Sequence, residues 1–460
     1  MPSPTLFLRS TPLPVSAADA FAWHERPGAF ERLAPPWEQI KVIAKQGGIE
    51  NGASLTIKQA VGPVWLTMEA EHFGYVPNHE FNDRLVRGPF KSWEHRHKFV
   101  DVEAPASGRA GSLLSDTIEY ILPGGPLGKI LGESGVKKKL SRIFTYRHAV
   151  TAADLALWRR GAAAPRLRVL VSGSTGLVGR SLCALLTTQG HTVIRLVRRE
   201  PMAPDEVVVD RLADAGALDA VVHLAGENVA SGRWTSSVRH RILESRVEGT
   251  RNLVAALGRL RGRPKVFIGA SATGFYGDRG QEMCDESTPV GRGFLSEVCQ
   301  AWEGETQNAE KLGMRTVSLR TGIVLSPAGG ALKKLLPIFR LGLGGPIGTG
   351  RMAMSWISLD DLTGCITQAL TDESLSGPVN AVAPEPVTNA EFTRTLARVL
   401  HRPAVLPVPA PMLQAVFGEM ANETLLASTR VEPARLKAAG YEFRHRSLTS
   451  ALRHVLGRSA

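Results

Sequence analysis

The stretch LRVLVSGSTGLVG, residues 167–179, decides the fold of the larger part of this 460-residue chain. Its apolar first half predicts a buried strand, and the residues that follow it predict a helix ending near Gly190. Three evenly spaced glycines suit a tight turn, a close approach of backbone to a pyrophosphate, and the packing of helix on strand. The helix N-terminus adds free amides and a partial positive charge. The pattern predicts a dinucleotide-binding loop made of Gly173, Ser174, Thr175, Gly176, Leu177, Val178 and Gly179.

The next predicted strand, residues 192–197, is followed by Arg198 and Arg199. An NAD-binding chain usually has an acidic residue here, which binds the ribose hydroxyls. A carboxylate would repel the 2′-phosphate that distinguishes NADP, whereas guanidinium groups pair with it. The sequence therefore predicts NADP(H) as the cofactor, because two solvated arginines would not explain the missing acid.

From residue 166 onward, short apolar strands alternate with longer helices, which is the pattern of a parallel α/β sheet. Four segments follow one another as in the extended short-chain dehydrogenases: VVVD at 207–210, AVVHLAG at 220–226, Tyr-Gly at 276–277 and WISLDD at 356–361. The chain resembles that family, which implies a doubly wound Rossmann domain with a small C-terminal lobe. The resemblance also implies that the cofactor is contacted by Asp210, beside the adenine, and by Leu224, Ala225 and Gly226.

Three further stretches narrow the resemblance: LAGEN at 224–228, SATGFYGD at 271–278 and RTGIVL at 320–325. With GYEF at 440–443, they resemble the atypical, epimerase-like family of NAD-dependent epimerase and dehydratase relatives that carry a short C-terminal extension. This resemblance covers residues 166–458. It implies NADP(H) binding, with Ser271 and Val324 beside the cofactor, while the substrates of the family are largely undefined.

One catalytic feature of the larger family is missing. Short-chain dehydrogenases use a Tyr-x-x-x-Lys dyad, in which Tyr exchanges a proton with the substrate oxygen and Lys lowers the pKa of Tyr. None of the five tyrosines has Lys four residues further on. Aligned on Glu303, the helix expected over 294–303 has Leu295 and Cys299 at the two dyad positions. Tyr276 lies in the Tyr-Gly turn, which in relatives shapes the site more than it catalyses.

Other polar residues must move a proton if the chain is an enzyme. The resemblance places the hydroxyls of Ser271 and Thr273 near the nicotinamide, where they donate hydrogen bonds but are poor acids. Glu227 and Arg233 follow the fourth strand and are expected to bind cofactor. Glu227 is also a candidate for proton transfer, and Arg233 for a surface ion pair. The catalytic candidates are thus Ser271, Thr273 and Glu227; a buried helical cysteine such as Cys299 is more often inert.

The first 150 residues follow a different plan. A strand at 5–9 precedes a short helix capped by Ser16. Further strands are predicted near 38–45, 54–61, 64–71, 80–87, 93–102 and 112–122. A basic, amphipathic helix over 127–148 follows. This order resembles the polyketide-cyclase and START-like superfamily, which implies an α+β helix-grip fold.

The superfamily resemblance implies a cavity for an apolar small molecule between the sheet and the last helix. The helix residues expected to face the sheet are Leu127, Ile130, Leu131, Leu140, Ile143 and Phe144. The aromatic residues expected to line the cavity are Trp65, Phe73, Phe81, Trp93, Phe99 and Tyr120. The alternative is that these aromatic side chains fill the core and leave no void.

A metal ion is not predicted. His95 and His97 lie two residues apart on one face of a predicted strand, a spacing that some metal sites use. No third ligand is visible in the sequence. The four cysteines are scattered without metal-site spacing, which fits reduced thiols in a cytoplasmic protein.

The composition excludes several classes of partner. The net charge of +12 is spread along the chain, and its densest run, at 137–139, reads as a solvated helix face, so nucleic acid is not an expected partner. No apolar run is long enough for a transmembrane helix, and no secretory signal is visible. A cytoplasmic protein without integral membrane association is therefore expected.

The sequence predicts a helix-grip domain at 1–150, a linker at 151–165, an NADP-binding Rossmann domain at 166–380 and a C-terminal extension at 381–460. The favoured function is an NADP(H)-dependent oxidoreductase or epimerase-like enzyme with a small-molecule substrate. The alternative, supported by the missing dyad, is a non-catalytic module that binds NADP(H) and an apolar ligand and senses redox state. The oligomeric state is not predicted.

Overall fold

The computed structural model describes residues 3–102, 111–230 and 232–458. The chain divides into two compact units, one made mainly of the residues up to Pro165 and the other mainly of the residues from Arg166 onward. No described helix combines the length and the apolar character needed to cross a lipid bilayer.

The first unit is built on a seven-stranded antiparallel sheet. Its elements are β1 (Thr5–Leu13), α1 (Ala17–Glu25), α2 (Ala29–Leu33), β2 (Ile40–Gln46), β3 (Ser54–Val61), β4 (Val64–Val76), β5 (Glu80–Arg87), β6 (Ser92–Val102), β7 (Gly111–Ile121) and α3 (Gly125–Arg160). The strand order is β1-β7-β6-β5-β4-β3-β2. Strands β2 to β7 are therefore joined in sequence, and β1 closes the sheet beside β7. The predicted strands are all present.

Aromatic side chains hold α1 against this sheet. Ser16 caps the helix by accepting a hydrogen bond from the amide of Asp19. The fully buried Phe21 packs edge-on against Phe81 of β5 and Phe99 of β6, with ring centroids 5.9 and 5.5 Å apart. Edge-to-face packing at these distances is favourable for aromatic pairs.

The orientation predicted for the first turns of α3 is wrong. Leu140 and Phe144 are buried as predicted and Ile143 is half-buried, but the exposed fractions of Leu127, Ile130 and Leu131 are 69%, 77% and 79%. One stripe of the helix faces the sheet and the cavity beside it, and this stripe recurs every four residues at Gly128, Gly132, Val136, Leu140 and Phe144. Because glycines occupy the stripe in the first turns, the large apolar neighbours point away from the sheet.

The segment expected to be a linker, 151–165, is instead helical as far as Arg160. Thr151 and Leu155 on this part of α3 are buried, with exposed fractions of 1% and 0%. The Asp154 carboxylate accepts hydrogen bonds from Nε and Nη2 of Arg32, each at 2.8 Å. The alanine-rich composition therefore marks a continuing helix, which alanine favours, rather than a flexible connection.

The second unit is built on a seven-stranded parallel sheet, as predicted. Its strands lie in the order β10-β9-β8-β11-β12-β14-β18. Along the chain its elements are β8 (Arg168–Ser172), α4 (Leu177–Thr188), β9 (Thr192–Leu196), β10 (Glu206–Val207), β11 (Ala220–His223), α5 (Ser236–Gly258), β12 (Val266–Ala272), β13 (Met283–Cys284), α6 (Phe294–Gln307), β14 (Arg315–Thr321), β15 (Ile323–Leu325), α7 (Gly330–Arg340), β16 (Ala353–Met354), β17 (Trp356–Ser358), α8 (Leu359–Thr371), β18 (Gly377–Ala381), β19 (Val387–Thr388), α9 (Asn389–Leu400), α10 (Ala410–Phe417), β20 (Arg430–Val431), α11 (Ala434–Ala438) and α12 (Leu448–Leu456).

The order of the strands reverses beside β8. From β8 the chain moves outward to β9 and β10, and then crosses back to β11 on the other side of β8. Ligands of open α/β sheets bind at such a switch point, beyond the carboxyl ends of the strands. The glycine loop that follows β8 therefore lies at the place in the sheet where a dinucleotide is expected.

Both faces of the parallel sheet are buried. Val169 and Val171 of β8 belong to one apolar layer, whereas Leu170 between them belongs to the opposite layer. The first layer also contains Leu436 and Tyr441. The C-terminal segment therefore completes the core of the second unit, and does not simply follow it as an added tail.

The corrected orientation of α3 can be tested by truncating one side chain on each face. We expect Leu140→Ala to lower the free energy of unfolding by about 2–5 kcal/mol, because it removes a large side chain from the buried apolar cluster with Ile118, Tyr120 and Phe144. Leu131→Ala, on the exposed face of the same helix, is expected to change it by no more than about 0.5 kcal/mol. Urea unfolding of the full chain, followed by circular dichroism, measures both. A larger loss for Leu131→Ala would contradict the orientation described.

Candidate functional site

The glycine loop after β8 is pressed against the end of β11. Gly173 has a φ of +67°, which favours glycine, and a Cβ at this position would lie 2.9 Å from both the Ala225 amide nitrogen and the Leu224 carbonyl carbon. A Cβ at Gly179 would lie 2.2 Å from the Gly173 carbonyl oxygen. Side chains are therefore excluded at the turn and at the start of α4. This is the cradle that a pyrophosphate needs, since backbone amides can approach it directly.

A side-chain bridge joins the same two strand ends. Ser172 Oγ accepts hydrogen bonds from the amides of Leu224 and Ala225 at 3.1 and 3.3 Å, and it lies 2.6 Å from His223 Nδ1. Burial lowers the pKa of His223 to about 4, so its imidazole is neutral at physiological pH. The structure thus brings the predicted residues 224–226 beside the glycine loop. His223, which is buried at the end of β11, was not among the predicted site residues.

The two arginines after β9 differ in their surroundings. Arg199 makes two hydrogen bonds of 2.9 Å to Glu206 of β10, and this contact is the main cause of the lowered pKa of the Glu206 carboxyl group. Arg198 is exposed and forms no ion pair within the described part of the chain. Only Arg198 therefore carries a charge that the protein itself does not compensate.

The third strand is shorter than the resemblance implied. It contains only Glu206–Val207, and a 3-10 helix over Val209–Ala215 follows. Asp210 is therefore exposed at the beginning of that helix rather than at the end of a strand. Val324 lies on β15, half-buried and paired with Ile357 of β17.

Ser271 belongs to a buried polar network at the carboxyl ends of β12 and β14. Its hydroxyl donates a hydrogen bond of 2.6 Å to Glu303 of α6. Glu303 pairs with Arg320 of β14 through two contacts of 2.9 and 2.8 Å. Arg320 donates to the Tyr276 hydroxyl at 3.0 Å, and Tyr276 donates to Asn380 at 2.6 Å. The proton of the Ser271 hydroxyl is thus directed at Glu303, which leaves the oxygen lone pairs as the groups that Ser271 can offer a ligand.

The positions expected for a catalytic dyad hold no proton donor that is active at neutral pH. Helix α6 carries Leu295, Cys299 and Glu303 at intervals of four residues, and a Cβ at Gly274 would lie 3.2 Å from Leu295 Cβ. Burial raises the pKa of the Cys299 thiol to about 11 and that of Tyr276 to about 12. Both groups therefore keep their protons near pH 7.

An arginine of α5, Arg246, contacts the backbone of the loop after β11. Arg246 Nη2 donates to the Glu227 carbonyl at 2.9 Å, and its guanidinium lies 4.9 Å from the centre of the Trp302 ring. The Glu227 amide donates to Ser245 Oγ at 3.0 Å. The half-buried Glu227 carboxylate itself makes no hydrogen bond within the described residues. Its backbone is therefore fixed while both carboxylate oxygens remain able to accept a proton.

Two other predicted site residues remain, Arg233 in the segment after Glu227 and Thr273 just after Ser271. The exposed Arg233 donates to the Ala415 carbonyl of α10 at 3.4 Å, and the surface ion pair considered for it is not formed with any described residue. Thr273 begins a 3-10 helix over Thr273–Tyr276 and is half-buried. It follows β12, the strand that carries Ser271.

The first unit contains a cavity of about 600 Å³ between α3 and the sheet. Apolar side chains form much of its wall, among them Leu66, Met68, Phe81, Trp93, Leu140 and Phe144. Of the six aromatic residues expected to line it, only Phe81 and Trp93 do so. Phe99 and Tyr120 are fully buried elsewhere in the core, and Trp65 is 40% exposed. Sequence alternation shows which residues share a face of the sheet, but not where that face is left uncovered.

Family models match two parts of the chain. Residues 169–381 match the NAD dependent epimerase/dehydratase family, and residues 408–455 match a domain of unknown function (DUF1731). An epimerase family protein of Mycobacterium tuberculosis is 42% identical over 296 residues, which are 63% of this chain and 98% of that protein. The human epimerase family protein SDR39U1 is 38% identical over 295 residues, 63% of this chain and 100% of its own length.

Two solved structures are similar to the fold. A nucleoside-diphosphate sugar epimerase from Corynebacterium glutamicum is 34% identical with a TM-score of 0.79, covering 98% of this chain and 90% of that one. The structure of human SDR39U1 isoform 2 with NADPH is 37% identical with a TM-score of 0.59, covering 63% of this chain and 99% of that one. These matches confirm the resemblance drawn from the motifs at 224–228, 271–278 and 320–325. By its similarity to relatives that it covers almost completely, the chain belongs to the epimerase family.

Proposed function

We propose that the second unit binds NADP(H) and acts as an oxidoreductase or epimerase-like enzyme on a small molecule. The observation that carries the proposal is the pair of strand ends at the switch point, where the absence of a side chain at Gly173 allows a close approach of backbone to backbone beside the start of α4. A solved relative, human SDR39U1, was crystallised with NADPH. The residues that would hold the cofactor are the loop Gly173 to Gly179, Arg198, and the backbone of 224–227.

The choice of phosphate follows from the charges after β9. Because Glu206 already compensates Arg199, the exposed Arg198 is the cation that a 2′-phosphate would meet first. Charge-assisted hydrogen bonds from a guanidinium to a phosphate are among the stronger ones available to proteins. Glu206 would repel a phosphate if Arg199 did not cover it. Arg199 therefore supports NADP(H) binding indirectly, by neutralising an acidic neighbour.

The proposed chemistry assigns different tasks to three polar residues. Bound NADP(H) supplies hydride transfer. Thr273 would donate a hydrogen bond to the substrate oxygen, because no described side chain engages its hydroxyl. Ser271, whose proton is directed at Glu303, would orient the substrate as an acceptor. Glu227 would move the proton, since its carboxylate makes no hydrogen bond within the described residues while its backbone is held by Arg246 and Ser245.

The cavity of the first unit supports a second activity, the binding of an apolar small molecule. The sheet, the two short helices and the long α3 follow one another in the order of the START-like superfamily, which supports a helix-grip assignment for this unit. Each Å² of apolar surface that a ligand buries in such a cavity contributes about 25 cal/mol. A volume of about 600 Å³ falls within the range of small-molecule sites.

The cofactor preference can be measured by calorimetry with NADPH and NADH. We expect the wild-type chain to bind NADPH more tightly, and Arg198→Asp to weaken NADPH binding by about 10-fold to 100-fold, because one charge-assisted contact is replaced by repulsion. Lys265→Asp, a charge change at the start of β12 on the opposite side of β8, is the control. Equal affinities of the wild type for the two cofactors would refute the assignment of Arg198.

Turnover can be tested by following NADPH fluorescence during incubation with pools of carbonyl metabolites. We expect consumption with at least one pool, and a rate about 10²-fold to 10⁴-fold lower in Glu227→Gln with NADPH affinity retained, because general acid–base catalysis is lost. Glu244→Gln, an exposed residue of α5, serves as the control. Binding of NADPH without consumption by any pool would exclude net reduction of these substrates, and would leave either an epimerisation that regenerates its cofactor or the non-catalytic module that senses redox state.

Apolar ligand binding can be tested in the full chain with a fluorescent fatty acid. We expect the probe to bind at micromolar concentration, and Val136→Trp to reduce its affinity at least about 10-fold by filling the cavity. Leu131→Trp introduces the same side chain on the exposed face of α3 and should leave binding unchanged. Binding that is lost in Leu131→Trp but kept in Val136→Trp would place the probe on the surface and exclude the cavity.

A further inference from the structure

A cluster of imidazole and carboxylate groups forms one wall of the cavity in the first unit. Strands β5 and β6 are paired so that Asp83 lies directly opposite His95, and His97 follows on the same face of β6. Asp83 Oδ2 lies 3.1 Å from His95 Nδ1 and 3.8 Å from His97 Nε2. One ligand atom from each of the three residues lies within 4.8 Å of the others, and all three residues line the cavity.

From this cluster we propose that the first unit holds a divalent transition-metal ion on Asp83, His95 and His97. The sequence supplied two imidazoles but no third ligand. The pairing of β5 with β6 supplies it, by placing a carboxylate from 12 residues earlier in the chain beside both rings. Two ligand atoms that each lie about 2.0–2.2 Å from the same ion are separated by distances similar to the 3.1 and 3.8 Å between Asp83 Oδ2 and the two imidazole nitrogens.

A second carboxylate lies behind both rings, hydrogen-bonded to His95 and in close ionic contact with His97. Asp116 of β7 has its Oδ1 atom 3.0 Å from His95 Nε2 and 2.6 Å from His97 Nδ1, which are the ring nitrogens turned away from Asp83. An imidazole whose one nitrogen faces a carboxylate presents the lone pair of the other nitrogen to a metal. Asp116 is buried and is not part of the cavity wall, so it supports the rings from behind.

The supporting carboxylate is itself anchored. The other oxygen of Asp116 lies 2.5 Å from His148 Nε2 on α3, and His148 Nδ1 lies 2.8 Å from Thr11 Oγ1 on β1. Partners on β5, β7, β1 and α3 therefore determine the positions of the two imidazole rings of β6. Outer partners of this kind are typical of metal sites, in which they fix the tautomer and the direction of each histidine ligand.

Charge and ligand type indicate which ion the site would take. The carboxylates of Asp83 and Asp116 supply negative charge for a divalent cation, and they also interact with the guanidinium of Arg147. Two imidazoles and one carboxylate suit Zn²⁺, Fe²⁺ or Co²⁺, whereas Mg²⁺ and Ca²⁺ prefer oxygen ligands. Three protein ligands leave further coordination positions open, and these would face the apolar cavity. The competing explanation is a pair of imidazolium cations held by two carboxylates without any metal.

The proposal can be tested on the full chain after treatment with a chelator and removal of the chelator. We expect the protein to bind one equivalent of Co²⁺, with visible absorption bands of a low-symmetry site, and to bind Zn²⁺ in competition with it. Mg²⁺ should not bind at the same concentration. Neither result depends on cofactor binding or turnover in the second unit.

Matched variants attribute the bound ion to the cluster. His95→Gln with His97→Gln, and separately the isosteric Asp83→Asn, should abolish the Co²⁺ bands while circular dichroism shows the fold retained. Asp116→Asn should keep the stoichiometry and lower the affinity by about 10-fold to 100-fold. His79→Gln, an exposed histidine before β5, should change nothing. Absence of Co²⁺ binding in the folded wild type, or equal binding in folded His95→Gln/His97→Gln, would overturn the proposal.

Discussion

The close contact between the turn after β8 and the end of β11 is the constraint on which the second unit depends. A Cβ at Gly173 would lie 2.9 Å from the backbone of both Leu224 and Ala225, so these two backbone segments can approach each other only because residue 173 is glycine. Ser172 then bonds the amides that the approach brings within reach. The crevice at the switch point, the direction of α4 and the course of the 224–227 loop all follow from this contact.

A buried ionic network stabilises the neighbouring strand ends and occupies the region in which a short-chain dehydrogenase keeps its dyad. Ser271 and Arg320 are opposite each other on β12 and β14, and Glu303 of α6 bonds both. Loss of one partner from such a buried pair typically costs about 3–5 kcal/mol. The network therefore holds Ser271 and Tyr276 in fixed orientations, with each hydroxyl proton hydrogen-bonded to another residue of the network. Proton transfer, if the chain catalyses it, falls to a residue outside the network.

The first unit combines an apolar void with a polar wall. Gly128 and Gly132 line the cavity in the first turns of α3. A Cβ at Gly128 would lie 1.8 Å from the Pro123 carbonyl oxygen, so a close approach of backbone excludes a side chain at that position. At the other side, carboxylates and imidazoles from β5, β6 and β7 are collected on the inner face of the sheet. A burial of this kind is unfavourable unless each charge has a partner, which explains why the polar groups occur as one contiguous cluster.

The sequence by itself determined those features that are local in the chain. The glycine loop, the parallel alternation of strands and helices, the missing acid after β9 and the missing dyad all depend on residues close together in sequence, because turn geometry and periodicity act over a few residues. The strands of the first unit were predictable for the same reason. Only the tertiary structure decided the pairings between distant residues: Glu206 with Arg199, Glu303 with Arg320, and Asp83 with His95. It also decided which face of α3 meets the sheet, because the largest apolar residues of its first turns do not lie on the stripe that packing selects. Strand register and helix rotation are set by the summed contacts of a whole layer, and no single segment of sequence contains that sum.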